Sequence, residues 1–336
     1  MTTRQVENIV DPTPAQQRNR RIAEVSQPLP GSVPYINRRP MKVSPKFVGL
    51  SLLDFLTHNH PHISEASWSE VIAQGNMEIN QRSAGPRECV SQGDRVVHVQ
   101  PDTVEPPVDP NLRILFEDEA LLVLEKPAPL PVHPCGRFNR NSASKLLELA
   151  FPELQLRPVH RLDANTTGVL VFAKTREAAS KLARQFEVRS VEKHYLVEVV
   201  GQPEDDLLSC SAAIKKAPEE AGTRGVCADA GRPSYTEFSV LHRGNSGSSY
   251  LQANPDSGRT NQIRIHLAEL GYPIVGDNAY GLERDLKNGL SKDETLHLHA
   301  WRLTLTHPLS GVTQEFVATP PKWAEGKIGH ELERGE

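Results

Sequence analysis

The chain has 336 residues, enough for about two domains and at least one sizeable buried core. Hydrophobic residues make up 38% and charged residues 24%, no run approaches the roughly 18 apolar residues of a membrane helix, and a net charge of -4 rules out a polycation. Four cysteines without a CxxC pair (Cys89, Cys135, Cys210, Cys227) argue against a disulfide scaffold or a zinc ribbon and suit a reducing cytoplasm.

Residues 1–46 read as a flexible basic tail, with six prolines, few aliphatic side chains and a local charge of +5. No apolar stretch of the kind found in a secretory signal opens it. Residues 47–100 read as a small α+β module. Leu50–Leu56 gives a first helical stripe, and a second helix opens at Ser67 and stops at Gly75. Short strands at Met77–Asn80 and Val96–Gln100 flank the turns Gly85-Pro86 and Gly93-Asp94. Residues 101–112, with four prolines, read as a linker.

Residues 113–325 form the larger body, followed by a C-terminal tail at 326–336. A hairpin joins Ile114–Phe116 to Leu121–Leu124, and Ala143–Phe151 is a short helix. Gly168–Lys174 is a continuous apolar strand, and Thr175–Phe186 is an amphipathic helix. Strands follow at Tyr195–Val200, Tyr235–Leu241, Ser249–Ala253 and His297–Thr306, with a helix at Asn261–Leu270. Strands outnumber helices and often succeed one another directly. The expected class is α+β, with a mixed, mostly antiparallel central sheet flanked by helices.

Three polar segments sit beside strongly apolar elements. Pro158–Gly168 (PVHRLDANTTG) precedes the buried strand, and a loop at a strand mouth is where a scaffold displays reactive groups. In Ser257–His266 (SGRTNQIRIH), Arg264 falls between Ile263 and Ile265, so its head is drawn inward and needs an anionic partner. Asp163 is the acid expected to supply it. The third segment, Glu192-Lys193-His194-Tyr195, opens a strand. Singly, each residue has a plainer role: a loop carboxylate for Asp163, a snorkelling surface arginine for Arg264, a core-edge tyrosine for Tyr195. The histidines are scattered, and HNHPH at 58–62 has no acid or cysteine at ligand spacing, so no metal is expected.

Taken together, HRLDANTTG, GRTNQIRIHL, Lys193-x-Tyr195 and KPAPLPVHP (Lys126–Pro134) resemble, in the same order, the motifs of the RluA family of RNA pseudouridine synthases. The resemblance covers residues 111–320. Residues 49–100 resemble a divergent S4 domain, a small RNA-binding module that often precedes this catalytic domain. The resemblance implies the pseudouridine synthase catalytic fold and an intramolecular transferase that flips specific uridines out of ribosomal or transfer RNA. It implies Asp163 as the catalytic aspartate, Arg264 as its partner, and Tyr195 packed on the base as a candidate for a proton step. Arg161 would fill the gap left by the flipped nucleotide. His160, Thr166, Lys193, Arg259 and Gln262 are further RNA-binding candidates around the same motifs. No organic cofactor, metal or membrane is implied; a cytoplasmic location and a monomer are expected. The alternative is a non-catalytic RNA-binding or ribosome-associated protein on this scaffold, which would not need Asp163, Tyr195 and Arg264 together. Asn261 stands where histidine is common, Ala128-Pro129 replaces the usual alanine-glycine, and no Lys or Arg occurs between Phe47 and Gln81.

The residue types fit that chemistry. Isomerising uridine breaks the N1–C1′ bond and forms C5–C1′, so the nucleotide must leave its stack at a cost of a few kcal/mol. A carboxylate in the pocket has to stay ionised. Burial opposes this and a fixed guanidinium favours it, while its fork also sets the carboxylate's orientation. Residues 156–200 carry eight basic against five acidic side chains, and residues 101–125 one against seven. A polarised molecule is expected, with salt-dependent RNA affinity on the basic side.

Overall fold

The computed structural model describes residues 13–215, 223–227, 231–245, 247–281 and 295–328. The outer parts of the two expected tails, 1–12 and 329–336, lie outside the described residues. The chain forms two compact units. One comprises Gly31–Pro106, and the other Met1–Pro30 with Pro107–Glu336.

The first element overturns the reading of a tail. Helix α1 (Pro14–Val25) opens on a capping box, in which the Thr13 hydroxyl accepts the Gln16 amide and the Gln16 side chain accepts the Thr13 amide. Ile22 is only 1% exposed and enters the core of the larger unit. Arg18 and Arg21 stack on Phe151, 4.7 and 5.1 Å from the ring centroid, while pairing with Glu117 and Glu153. One isoleucine and two guanidinium–ring contacts replace the aliphatic stripe whose absence suggested disorder.

The smaller unit is a four-stranded antiparallel sheet in the order β1 (Tyr35–Lys42), β4 (Arg95–Thr103), β2 (Met77–Ile79), β3 (Arg82–Ser83). Helices α2 (Leu52–Asn59) and α3 (Glu65–Ala73) cover it through Leu52, Phe55, Leu56, Trp68 and Ile72. The unit therefore begins inside the expected tail, and β4 extends into the expected linker. Pro40 is compatible with β1 because β1 is an edge strand. Two of the unit's cations, Arg38 and Arg82, are paired with Glu78 and Glu88.

Among the described residues, the larger unit is built on a ten-stranded sheet. Its main path runs β10 (Leu207–Cys210), β11 (Thr236–Arg243), β12 (Ser248–Pro255), β9 (Glu192–Val200), β13 (Leu298–Thr306), β8 (Thr167–Ala173), β6 (Leu121–Lys126), β5 (Arg113–Glu117). β14 (Thr313–Val317) pairs with β13, and β7 (Arg157–Pro158) with β8. All these pairings are antiparallel except β13 with β8, so the sheet is mixed and mostly antiparallel as expected. Helices α4 (Ala143–Ala150), α5 (Arg176–Glu187) and α6 (Gln262–Glu269) flank it.

Strand β8 shows why its sequence lacks polar alternation. Leu170 and Phe172 face the core under α4, whereas Val169, Val171 and Ala173 face the core under α5. At its start Gly168 has φ +113°, and an added Cβ would sit 2.1 Å from the Ala300 carbonyl oxygen. Only glycine lets β8 and β13 approach this closely. At the other end of the chain, Ala324 and Ile328 are buried beside Leu196 and Trp301, so 326–328 belong to the fold rather than to a tail.

Candidate functional site

The segment between β7 and β8 is held from below, and its side chains divide by direction. His160 and Leu162 turn inward. Leu162 is buried in the core under α4. The His160 ring stacks on Phe186 (5.1 Å, 19°), and its Nε2 accepts the Val171 amide at 3.0 Å. Burial, and then Lys193, lowers its pKa to about 3, so the ring is neutral. His160 is thus a support of the loop and not the RNA contact expected. Arg161 is exposed, and Asp163 points into a cleft of about 560 Å³ of open space.

Beneath Asp163 lies Lys126, which is fully buried. Its ammonium donates to the carbonyls of Pro127 (2.8 Å), Leu130 (2.8 Å) and Ala164 (3.1 Å). The Leu130 amide also donates to the Ala164 carbonyl at 2.8 Å. One side chain therefore ties the 127–130 turn to the backbone beside Asp163. Burial lowers the Lys126 pKa to about 7, with the charges of Asp163 and Asp109 opposing. Three carbonyl acceptors are fully served only by the protonated form. The motif around Lys126 was legible in the sequence; this role was not, because it depends on which carbonyls converge.

Arg264 projects from α6 toward the same cleft. Its principal partner is Asp277, not Asp163: Nε and one Nη donate to the two Asp277 oxygens at 2.8 and 2.7 Å. The other Nη donates to Asn261 Oδ1 at 3.3 Å and stands 3.8 Å from Asp163 Oδ2. The Tyr280 ring lies 5.0 Å from the guanidinium carbon. Burial alone would lower the Arg264 pKa; Asp277, with Asp163 and Tyr280, raises it above the ordinary value instead. The expected pairing corresponds to one edge of a guanidinium already clamped on its others. Asp277 follows Gly276, whose φ of 76° makes the turn, and stands outside all the motifs quoted above. The Asp163 side chain is 25% exposed, so it is less secluded than a dry pocket would make it.

Tyr195, on β9, lines the cleft and packs against two core clusters. Desolvation, and then Asp163, pushes its hydroxyl pKa up, which keeps the phenol neutral. Thr166 also lines the cleft; its hydroxyl is buried without a hydrogen-bond partner among the described residues. Two of the expected RNA contacts are instead committed to protein. Lys193 donates to the Ser257 carbonyl at 3.0 Å, and burial lowers its pKa to about 8. The Gln262 amide accepts from Ser257 Oγ and the Arg259 amide and donates to Tyr235 O and Thr236 Oγ1. Both fix the turn that carries Arg259, whose side chain borders the cleft. Among the described residues, no group of three or more His, Cys, Asp or Glu side chains could hold a metal, and no helix is long and apolar enough to cross a membrane.

Comparison with known proteins adds to this geometry. A family model described as RNA pseudouridylate synthase matches residues 120–269. The chain is 36% identical to ribosomal large subunit pseudouridine synthase D of Nitrosomonas europaea over 84% of each chain. It is 33% identical to ribosomal large subunit pseudouridine synthase C of Haemophilus influenzae, over 74% of this chain and 81% of that one. Among solved structures, human RNA pseudouridylate synthase domain containing 1 is similar, with TM-score 0.54 and 29% identity, over 65% of this chain and 87% of that one.

Proposed function

The chain belongs to the RluA family of RNA pseudouridine synthases, an isomerase acting on RNA, and on that premise we propose that Asp163 is its catalytic carboxylate and a large-subunit ribosomal RNA uridine its substrate. The observation that carries the first part is the cleft itself. It gathers Asp163, Tyr195 and Arg264 from three distant stretches of chain around a space open to solvent.

In this reading Asp163 acts on the N1–C1′ unit of an everted uridine. Two cations stand by its carboxylate, Arg264 at 3.8 Å and the buried Lys126. Arg264 cannot swing away, because Asp277 holds it in a fork. Tyr195 supplies a flat face for the uracil ring. Its raised pKa leaves it as a hydrogen-bond donor at the ring edge and makes a resting tyrosinate base costly. Arg161, exposed at the rim, is placed to enter the stack vacated by the base. The substrate class follows the names of the two bacterial relatives. The smaller unit, S4-like in sequence, is the candidate second RNA contact.

The test of Asp163 is tritium release from RNA carrying 5-tritiated uridine. Asp163→Asn should give no release while keeping the parent's melting temperature; normal turnover would end the assignment. Pseudouridine mapping in cells lacking the protein should lose sites in large-subunit ribosomal RNA. A loss confined to transfer RNA would refute the substrate class.

A further inference from the structure

The sheet of the smaller unit packs one face under its helices and carries charge on the other. Met41, Met77, Ile79 and Val96 join the core under α2 and α3. Residues one place along each strand point the opposite way. On that second face the register sets Pro40 against Val97 and Lys42 against Arg95, and Arg38 reaches Glu78 across β4. Val97 is the buried centre of this face, while Arg38, Pro40, Lys42 and Arg95 around it are exposed. Lys42 and Arg95 thus stand directly opposite each other on an antiparallel ladder, where like charges destabilise the pairing. Among the described residues neither side chain has a hydrogen bond or an ion pair. Acids that could serve them are committed: Glu78 to Arg38, Glu88 to Arg82, and Asp94 to the Asn80 side chain and the Ser91 amide. A lysine on the edge strand β1 would guard that edge by itself. The second cation, on the interior strand β4, has no such use.

We propose that Lys42 and Arg95 form a docking point for the phosphate backbone of RNA, on the sheet face turned away from α2 and α3. The inference rests on the reading of the smaller unit as a second RNA contact, and it assigns that contact to the sheet and not to the helices. Helices α2 and α3 contain no Lys or Arg, so a phosphate contact made through them would lack a cation. Two like charges held side by side repel each other, and a phosphodiester between them relieves the repulsion while releasing counterions. The two heads are complementary in kind: Arg95 offers a planar fork to two phosphate oxygens, and Lys42 adds a point charge. No aromatic side chain stands among Arg38, Pro40, Lys42, Arg95 and Val97, so the contact is with backbone and not with stacked bases. The free protein gives up a little stability at this pair, and RNA restores it.

The experiment uses the full chain and an unmodified transcript of large-subunit ribosomal RNA. Lys42→Gln and Arg95→Gln should each raise the melting temperature of the free protein by about 1 °C, because each relieves the cross-strand repulsion. Lys42→Glu, which sets an opposite charge against Arg95, should raise it further. RNA affinity should move the other way. It should fall about tenfold in the double Gln variant, and the slope of log affinity against log salt should become shallower by about 1.4. Unchanged affinity and an unchanged salt slope overturn the docking point. If those variants also self-associate, the cations serve to guard the edge of β1 instead. A photo-crosslinking residue placed at Pro40, compared with one placed at the exposed Glu70 of α3, separates this inference from the reading beneath it. Crosslinks to RNA from position 40 alone support the sheet face. Crosslinks from position 70 alone overturn it and leave the unit an RNA contact, and crosslinks from neither overturn both.

Discussion

Asp277 is the residue on which the geometry of Asp163 depends most. Its carboxylate is fully buried and also accepts the Ala279 and Tyr280 amides at 2.9 and 3.0 Å. Asp277→Asn keeps one acceptor and loses the fork, leaving a guanidinium that is 16% exposed without its main counter-charge. Such a loss costs about 3 kcal/mol of stability, read from urea midpoints. A fall in kcat of about 30-fold should accompany it, since the edge facing Asp163 is no longer fixed. Full activity in a correctly folded Asn variant would show the clamp to be dispensable. His160 offers a second check, through pH. Its pKa is ordinarily 6.5 and about 3 in the fold, so below pH 6.5 the unfolded chain takes a proton that the native ring refuses. Its stabilising contribution is complete above pH 6.5 and shrinks as pH falls toward 3. His160→Gln, which still offers an acceptor to Val171, should lose stability less steeply between pH 6.5 and 4.5 than the parent does. Parallel curves would contradict the neutral ring turned inward against Phe186. At this scale the sequence singled out three residues that the fold brings to one cleft, since Asp163, Tyr195 and Arg264 stand in motifs. It hid their supports, because Asp277, Tyr280 and Lys126 act through distances across the fold that no spacing reveals.

Among the elements, β8 does most to place the loop that carries Asp163. Its first residues meet β13 in the sheet's parallel pairing, with Gly168 opposite Ala300. Gly168→Ala would drive a methyl into the Ala300 carbonyl in a conformation that L-residues rarely adopt, so β8 and β13 must separate. The expected result is insoluble protein, or soluble protein without activity and with a lowered melting point; a native-like Ala variant would mean the strands can shift at little cost. Elements with strong periodicity were legible: β8 and α5 lie within two residues of their expected bounds. Those governed by local caps and edges were not. α1 has one buried aliphatic anchor, and β1 contains a proline, so composition pointed away from both.

For the whole molecule, net charge was a poor guide to where cations gather. Of the cations lining the Asp163 cleft, Arg161 comes from the basic stretch 156–200 and Arg259 and Arg264 do not, while Lys145 and Lys181 lie in surface pairs worth little to stability. Core contributions are better tested through α1. Ile22→Ala should cost about 2–4 kcal/mol, measured by urea unfolding of the full chain. A change below about 0.5 kcal/mol would return this segment to the solvated arm that its composition suggested.

The route of the backbone has one more consequence. Since α1 precedes Gly31–Pro106 in the chain yet shares a unit with Pro107–Glu336, the smaller unit is an insertion tethered at both ends, not a bead on a leading string. Cutting the chain inside it would sever a core helix from its own domain, and α1 would then stay only as a docked peptide.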